Sequence, residues 1–323
     1  MKNNSLESVF NSYFNHKKNF DDFHNIRTEE EVRLIPLSRT KADLYQCSDR
    51  LKLIHTFLSR FIFSEMPVRE DIVFSYRKEV NISEAVKPHC NSEFIFKTDI
   101  SNFFPSISSE AVSNKLSKYY DYLSTIDIED VKKNIERIVY LCTFDNRLPI
   151  GFSSSPSISN FCFFDYDNII ESYCKDKQYI YTRYADDLII SSQHEILKKE
   201  ITNDLIGILS SDPLLKLSIN HKKTKVITKK YERKVLGISI LNDGKMTVSK
   251  ATKTDIEVKL HLLRTDRDKL MNYTGMDEMS SILSIAGVLS QINNIDQDYL
   301  FHLRKRYGNA IISKLLRGKE LLK

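Results

Sequence analysis

The sequence is poor in the residues that interrupt regular structure, with eight glycines and seven prolines among 323 residues. So few turn formers, and no repeat or low-complexity tract, leave no flexible linker to divide the chain into independent modules. The five cysteines (Cys47, Cys90, Cys142, Cys162 and Cys174) are scattered and odd in number. No C-x-x-C pair occurs, which speaks against a zinc site or a disulfide framework and for a reducing, cytoplasmic home. Long apolar runs are missing as well. The opening MKNNSLESVFNSYFNHKKNF lacks the apolar core of an export signal, and no stretch approaches the ~18–20 apolar residues of a membrane span. The expectation is a soluble, unexported protein. Nor is charge of one sign in excess: 48 Lys and Arg against 43 Asp and Glu give +5, too little to name a polyanionic partner.

What is present organises itself around apolar periodicity, since 41% of the residues are apolar, enough to fill the cores of two or three subdomains. Leu51, Ile54, Leu58 and Phe61-Ile62 recur at helical spacing and predict a helix over 49–63. The stretch EFIFKT alternates like a strand and leads into Asp99. Serine and aspartate start signals predict two helices within 108–142, and a turn-rich segment at 146–156 opens a helix over about 157–173. A hairpin around Asp186, a helix over about 195–210, short strands at 217–219 and 225–228, and a strand at 234–241 follow. After Asp243-Gly244 the pattern is helical. This order lacks the βαβα alternation of a doubly wound sheet and points to α+β.

The hairpin reads YTRYADDLIISS. Asp186 and Asp187 stand side by side between segments that otherwise look like buried strand, where aspartate is disfavoured and two carboxylates repel each other. An isolated Asp-Asp pair is ordinarily a polar turn. Three features argue otherwise here. The flanking strands are too apolar for an exposed ribbon, a third aspartate, Asp99, ends another apolar strand, and Gly151 with Ser153–Ser155 opens a helix between them, where backbone must approach a ligand closely. Oxygen ligands converging from separate strands suit Mg²⁺. Two such ions with a nucleoside triphosphate would supply the missing positive charge.

These residues resemble a known family. FIFKTDISNFFPSI, LPIGFSSSPSISNF, YTRYADDLII, INHKKTKVI and RKVLGISI are similar, in order, to the motifs of reverse transcriptases, and LRKRYGN near the end is similar to the bacterial retron-type members. The sequence departs from the family pattern at Ile150, where a glutamine is usual. The resemblance implies an RNA-directed DNA polymerase of α+β, right-hand architecture. Fingers would come from 1–92 and 109–149, an antiparallel-sheet palm from 93–108 and 150–240, and a helical thumb from 241–323.

It also implies roles. Asp99 and Asp186 would bridge two Mg²⁺ ions, with Asp187 an outer ligand and the Ile100 carbonyl a further oxygen, and Lys223 would be a general acid towards pyrophosphate. Tyr184 would pack beside the primer end, with Ala185 small enough to let that sugar lie over the turn. Phe104 would act as a steric gate against the 2′-hydroxyl of a ribonucleotide, and Gly151 would approach the base pair. Arg33 would meet the triphosphate, with Arg39, Lys41 and Arg50 as rivals. His89 is assigned no chemistry. Arg304, Lys305 and Arg306 in the basic helical tail would hold RNA. The implied partners are dNTPs, a structured noncoding RNA with its DNA copy, and an effector protein of an antiphage system. Two other readings stay open: a defence reverse transcriptase with another template or priming mode, and an inactive RNA-binding scaffold, against which the three aspartates argue.

Overall fold

A computed structural model describes residues 4–36, 43–231 and 233–318. The chain divides into two compact units, one of residues 1–79, 96–191 and 196–226, the other of 80–95, 192–195 and 227–323. Among the described residues no helix is long and apolar enough to cross a membrane.

In the first unit, β1 (Val32–Ile35) and β2 (Leu44–Cys47) form an antiparallel hairpin. Ser48 caps the next helix, Asp49–Leu58, by accepting from the Leu51 N–H, and Leu51, Ile54, Phe57 and Leu58 are its buried face. The predicted helix extends to Phe63, but its last stretch, Ser59–Phe63, widens into a π-helical turn. Helices Ser109–Tyr119 and Ile128–Cys142 begin at the expected start signals, Ser108 and Asp127, whose side chains accept from backbone N–H groups.

The sheet that carries the aspartates is built from β3 (Phe94–Asp99), β4 (Ile180–Tyr184), β5 (Asp187–Ser192) and β6 (Lys225–Thr228), in the order β4-β5-β3-β6. Strand β5 lies inside this order, and Leu188, Ile189, Ile190, Ser191 and Ser192 are all buried. Burial on both faces explains its unbroken apolar run. The predicted helix over 157–173 is two helices, Ser155–Cys162 and Phe164–Asp176, the second packed against β4. At the break, buried Phe163 meets the rings of Phe103 and Tyr166 and lies under the guanidinium of Arg183. Tertiary packing has overridden helical periodicity there. The expected strand at 217–219 survives only as a bridge between Ile219 and Ile100, and the helix expected over 195–210 runs Lys198–Leu209.

In the second unit the strand predicted at 234–241 is folded on itself. It forms β7 (Arg233–Val235) and β8 (Ile238–Ile240), joined by a two-residue loop in which Leu236 and Gly237 both have positive φ, +49° and +82°. That is the signature of a tight hairpin turn, here without the usual Asn before the Gly. Strand β9 (Met246–Val248) then pairs with β8 where helix was expected directly. Buried Arg233 donates through its Nη1 and Nη2 to the carbonyls of Cys90, Ser92 and Leu241, while its Nε stays buried without a partner. Five helices follow: Lys250–Thr265, Arg267–Thr274, Glu278–Ile295, Gln297–Tyr307 and Asn309–Arg317. Ser249, Asp266, Asp277 and Asp296 cap the first four through their side chains, which is how an almost continuous helical pattern is cut into a bundle. Ile256, Leu260, Leu270 and Leu289 are buried as their spacing suggests, whereas Leu283 is exposed.

Candidate active site

Strands β4 and β5 pair from Ile180↔Ser191 to Tyr184↔Asp187, so Ala185 and Asp186 form a two-residue turn with Asp187 as the first residue back in the ladder. Ala185 takes φ of +56°, a conformation that residues with a Cβ adopt at a cost. Something must hold the turn there. From one side, the Ala185 carbonyl accepts from Arg183 Nη1 at 3.0 Å. From the other, the Asp186 carbonyl accepts from the Ile100 N–H at 3.0 Å, which ties the turn to the end of β3 one residue beyond Asp99.

Arg183 is fully buried on β4, and its charge is met by Asp167 of the helix Phe164–Asp176 in a bidentate pair, Nε to Oδ1 at 2.8 Å and Nη2 to Oδ2 at 2.7 Å. The Tyr181 hydroxyl donates to the same Oδ1 at 2.9 Å, and Arg183 Nη1 also reaches Asn160 Oδ1 at 3.2 Å. Burial pushes the Asp167 carboxyl up, and the guanidinium pulls it back towards the ionised form. None of Arg183, Asp167 and Asn160 was singled out from the sequence. The available signal was an arginine two residues from Tyr181 on a buried strand, together with a carboxylate inside an apolar helix.

Asp99 is 4% exposed at the end of β3. Its Oδ2 accepts from Lys223 Nζ at 2.6 Å and from Asn220 Nδ2 at 3.5 Å, while Oδ1 is buried without a hydrogen-bond partner. The Asn220 N–H donates to the Asp99 carbonyl at 2.9 Å, so the segment that carries Lys223 is fixed to the same strand end. Desolvation and then the Asp99 charge raise the carboxyl of Asp186, and desolvation with the charges of Asp186 and Asp99 raises that of Asp187 to about 6. The Asp99 hydrogen bond raises the ammonium of Lys223. Among the described residues no three His, Cys, Asp or Glu side chains stand in ready-made ligating geometry. The donor set nevertheless fits a hard divalent cation. It offers carboxylate oxygens that repel one another, one of them a buried orphan, with Lys223 as the countercharge bonded to Asp99.

The other expected residues fall as follows. Phe103 is buried against Phe163, whereas Phe104 is half-buried, its ring 5.8 Å from that of Phe103. Tyr184 is half-buried at the end of β4, and Ile100 is buried. Gly151 has φ of +107°, and a Cβ there would lie 2.1 Å from the Tyr45 carbonyl oxygen, so the close approach seen is to β2. Arg33 stands exposed on β1 opposite Gln46. Arg50 pairs with Asp22 and Glu31, and Arg39 and Lys41 lie outside the described residues. His89 is buried, and burial lowers its imidazole to about 3. In the second unit, Arg304 is half-buried, Lys305 lies over the Phe301 ring, and Arg306 pairs with Glu257 at 2.5 Å.

The family of reverse transcriptases (RNA-dependent DNA polymerases) matches residues 22–240, a span that holds all three aspartates and Lys223. The chain belongs to the reverse transcriptase family. It is 26% identical over 278 residues to the retron Ec86 reverse transcriptase of Escherichia coli, covering 84% of this chain and 79% of that protein. To the retron Ec83 reverse transcriptase of the same organism it is 27% identical over 263 residues, covering 77% and 78%. The structure of telomerase from Candida albicans with a TWJ fragment of telomeric RNA is similar at a TM-score of 0.45 and 14% identity. That likeness covers 90% of this chain and 58% of the telomerase chain, so this chain spans under two thirds of it. The reverse transcriptase is therefore an RNA-directed DNA polymerase of α+β, right-hand class, with the dependence on divalent metal general to its family.

Two outcomes follow from the charges. Arg183→Ala leaves Asp167 buried and unpaired and should cost this reverse transcriptase about 3–5 kcal/mol in urea unfolding. A loss under about 1 kcal/mol would mean that the pair does not hold β4 to its helix. Asp187 binds its proton more tightly in the folded state than in the unfolded chain, so its ionised form lowers stability. The penalty is absent below about pH 4, grows as pH rises towards about 6, and is complete above it. Partial exposure reduces it to about 1–2 kcal/mol. In metal-free protein, Asp187→Asn should raise the unfolding midpoint at pH 7.5 and leave it unchanged at pH 4; an equal shift at both would show that the carboxylate charge is not the cause.

Proposed function

We propose that this reverse transcriptase copies part of a cognate structured noncoding RNA into DNA by metal-assisted nucleotidyl transfer. The observation that carries the reading is Asp99, buried at the end of β3 with an unpartnered Oδ1 and tied through the Ile100 N–H to the Ala185-Asp186 turn. Asp99 and Asp186 are the residues that would hold two Mg²⁺ ions, with Asp187 and the Ile100 carbonyl as further oxygens. When bound, the ions activate the primer 3′-hydroxyl and balance the charge of the departing pyrophosphate.

The remaining work belongs to the chain. Lys223, a cation 2.6 Å from Asp99, would donate a proton to the departing pyrophosphate. Tyr184 and Ala185 seat the primer end, Gly151 lies against the base pair, and Arg33 meets the triphosphate. Phe104 excludes a ribonucleotide by the clash of its ring with the 2′-hydroxyl. Residues 1–92 and 109–149 act as fingers, 93–108 and 150–240 as palm, and 241–323 as thumb. Arg304, Lys305 and Arg306 contribute phosphate contacts to the RNA, which presents mainly shape, phosphates and 2′-hydroxyls. The cellular setting is the bacterial cytoplasm, in an antiphage system with an effector protein. Retron enzymes among the relatives support the template assignment. Sequencing the nucleic acid that copurifies with the protein tests it: one structured RNA joined to its DNA copy is expected, and a random RNA population would overturn it.

Asp186→Asn should reduce primer extension on an RNA template by on the order of a thousandfold, because several kcal/mol of transition-state stabilisation go with the charge. Undiminished extension would remove the carboxylate from the reaction. Phe104→Ala should raise ribonucleotide over deoxynucleotide incorporation in single-nucleotide assays. If Phe103→Ala has that effect instead, the ring next in sequence is the gate.

A further inference from the structure

Tyr76 is held in an unfavourable conformation beside Phe104. Its φ is +59°, in the left-handed region that bulky side chains avoid, and its side chain is 45% exposed, so no deep packing demands that backbone. The segment around it is nonetheless clamped. The Phe74 N–H donates to the Arg183 carbonyl at 3.1 Å and the Arg183 N–H to the Ile72 carbonyl at 2.9 Å, so the segment runs alongside β4 as a single added bridge. Asn160 Nδ2 donates to the Ser75 carbonyl at 3.0 Å. Arg77 Nη1 donates to the carbonyls of Glu70 and Val73 at 2.7 and 2.8 Å, and its Nη2 meets the Glu70 carboxylate at 2.9 Å. Fixed on both sides, Tyr76 places its ring 6.2 Å from that of Phe104, which Phe103 meets at 5.8 Å. Two rings thus bracket the half-buried Phe104. Strain kept at a partly exposed residue by so many anchors marks a position selected for placement rather than for stability.

We infer that Tyr76 is a positioning residue for sugar selection: its ring fixes Phe104 at the height where a 2′-hydroxyl clashes and a 2′-deoxy sugar does not. This rests on the reading of Phe104 as the gate. The ring carries the effect and the hydroxyl does not, so the conservative variant retains it. Phe104 without its neighbour swings aside, and the discrimination falls while the metal-holding carboxylates are untouched.

The test compares kcat/KM for an rNTP and the matching dNTP in single-nucleotide extension of an RNA-templated primer, with the thermal midpoint of each variant. Tyr76→Gly should raise the rNTP:dNTP ratio about threefold or more with no fall in the midpoint, because glycine adopts the positive φ freely. Tyr76→Asn, which also tolerates that conformation, should do the same and serves if the glycine variant folds poorly. Tyr76→Phe should keep the wild-type ratio. In a Phe104→Ala background, Tyr76→Gly should add nothing. An unchanged ratio in both Tyr76→Gly and Tyr76→Asn would overturn the inference, as would an effect that multiplies with that of Phe104→Ala. If Phe104→Ala alone leaves the ratio unchanged, the gate reading fails and this inference falls with it. If Phe104→Ala raises the ratio and the Tyr76 variants do not, only the inference falls.

Discussion

Arg183 and Asp167 put a full positive and a full negative charge where no water reaches, and the geometry of the Ala185-Asp186 turn depends on how they are satisfied. Desolvation of such a pair is costly, and only near-complete hydrogen bonding makes it tolerable. Here the guanidinium is shared among a carboxylate, an amide oxygen and the Ala185 carbonyl, with the Phe163 ring stacked on it at 4.7 Å. Each partner sits on a different piece of chain: the helix 164–176, the helix 155–162 and the turn itself. The backbone of Arg183 in turn anchors residues 72–74. One residue therefore links helix to strand and the turn through its side chain, and seats residues 72–74 through its backbone. An apolar replacement could fill the volume but could not hold a carbonyl in place.

Above this base the site is a set of like charges. Asp99, Asp186 and Asp187 come from two strand ends joined by one backbone hydrogen bond; the Asp99 charge raises the cost of ionising Asp186, and both raise that of Asp187. Lys223 answers part of that charge through a single oxygen and leaves the buried Oδ1 of Asp99 unanswered. A protein that needed only a stable hairpin would not keep such an arrangement, because asparagine at these positions would be less costly. The excess negative charge fits a hard divalent cation, with Lys223 as the countercharge bonded to Asp99.

The aspartates were legible because carboxylates at the ends of apolar strands break the expected pattern so sharply. The caps at Ser108 and Asp127 were legible for a related reason: they are short polar residues standing just before periodic apolar runs. Arg183 was not, because a strand reading assigns alternate residues to opposite faces and cannot tell a solvated arginine from one paired beneath the sheet. The break at Phe163 and the turn at Leu236-Gly237 escaped for another reason. The break follows the contacts of Phe163 with Phe103 and Arg183, distant in sequence, and neither position carries the proline or Asn-Gly pair that announces a turn locally. Arg33 shows the limit in the other direction. A three-residue likeness picked it, and among the described residues its exposed place on β1 shows no side-chain partner that would single it out from other exposed cations.

The central claim is that Asp99 and Asp186 form one divalent-cation site on two strand ends joined by a backbone bond. Counting bound Mn²⁺ by electron paramagnetic resonance, with primer–template and dNTP present, tests it most directly. Wild-type protein should bind two ions and Asp99→Asn should lose at least one at the same free Mn²⁺; equal occupancy in the two proteins would contradict the account.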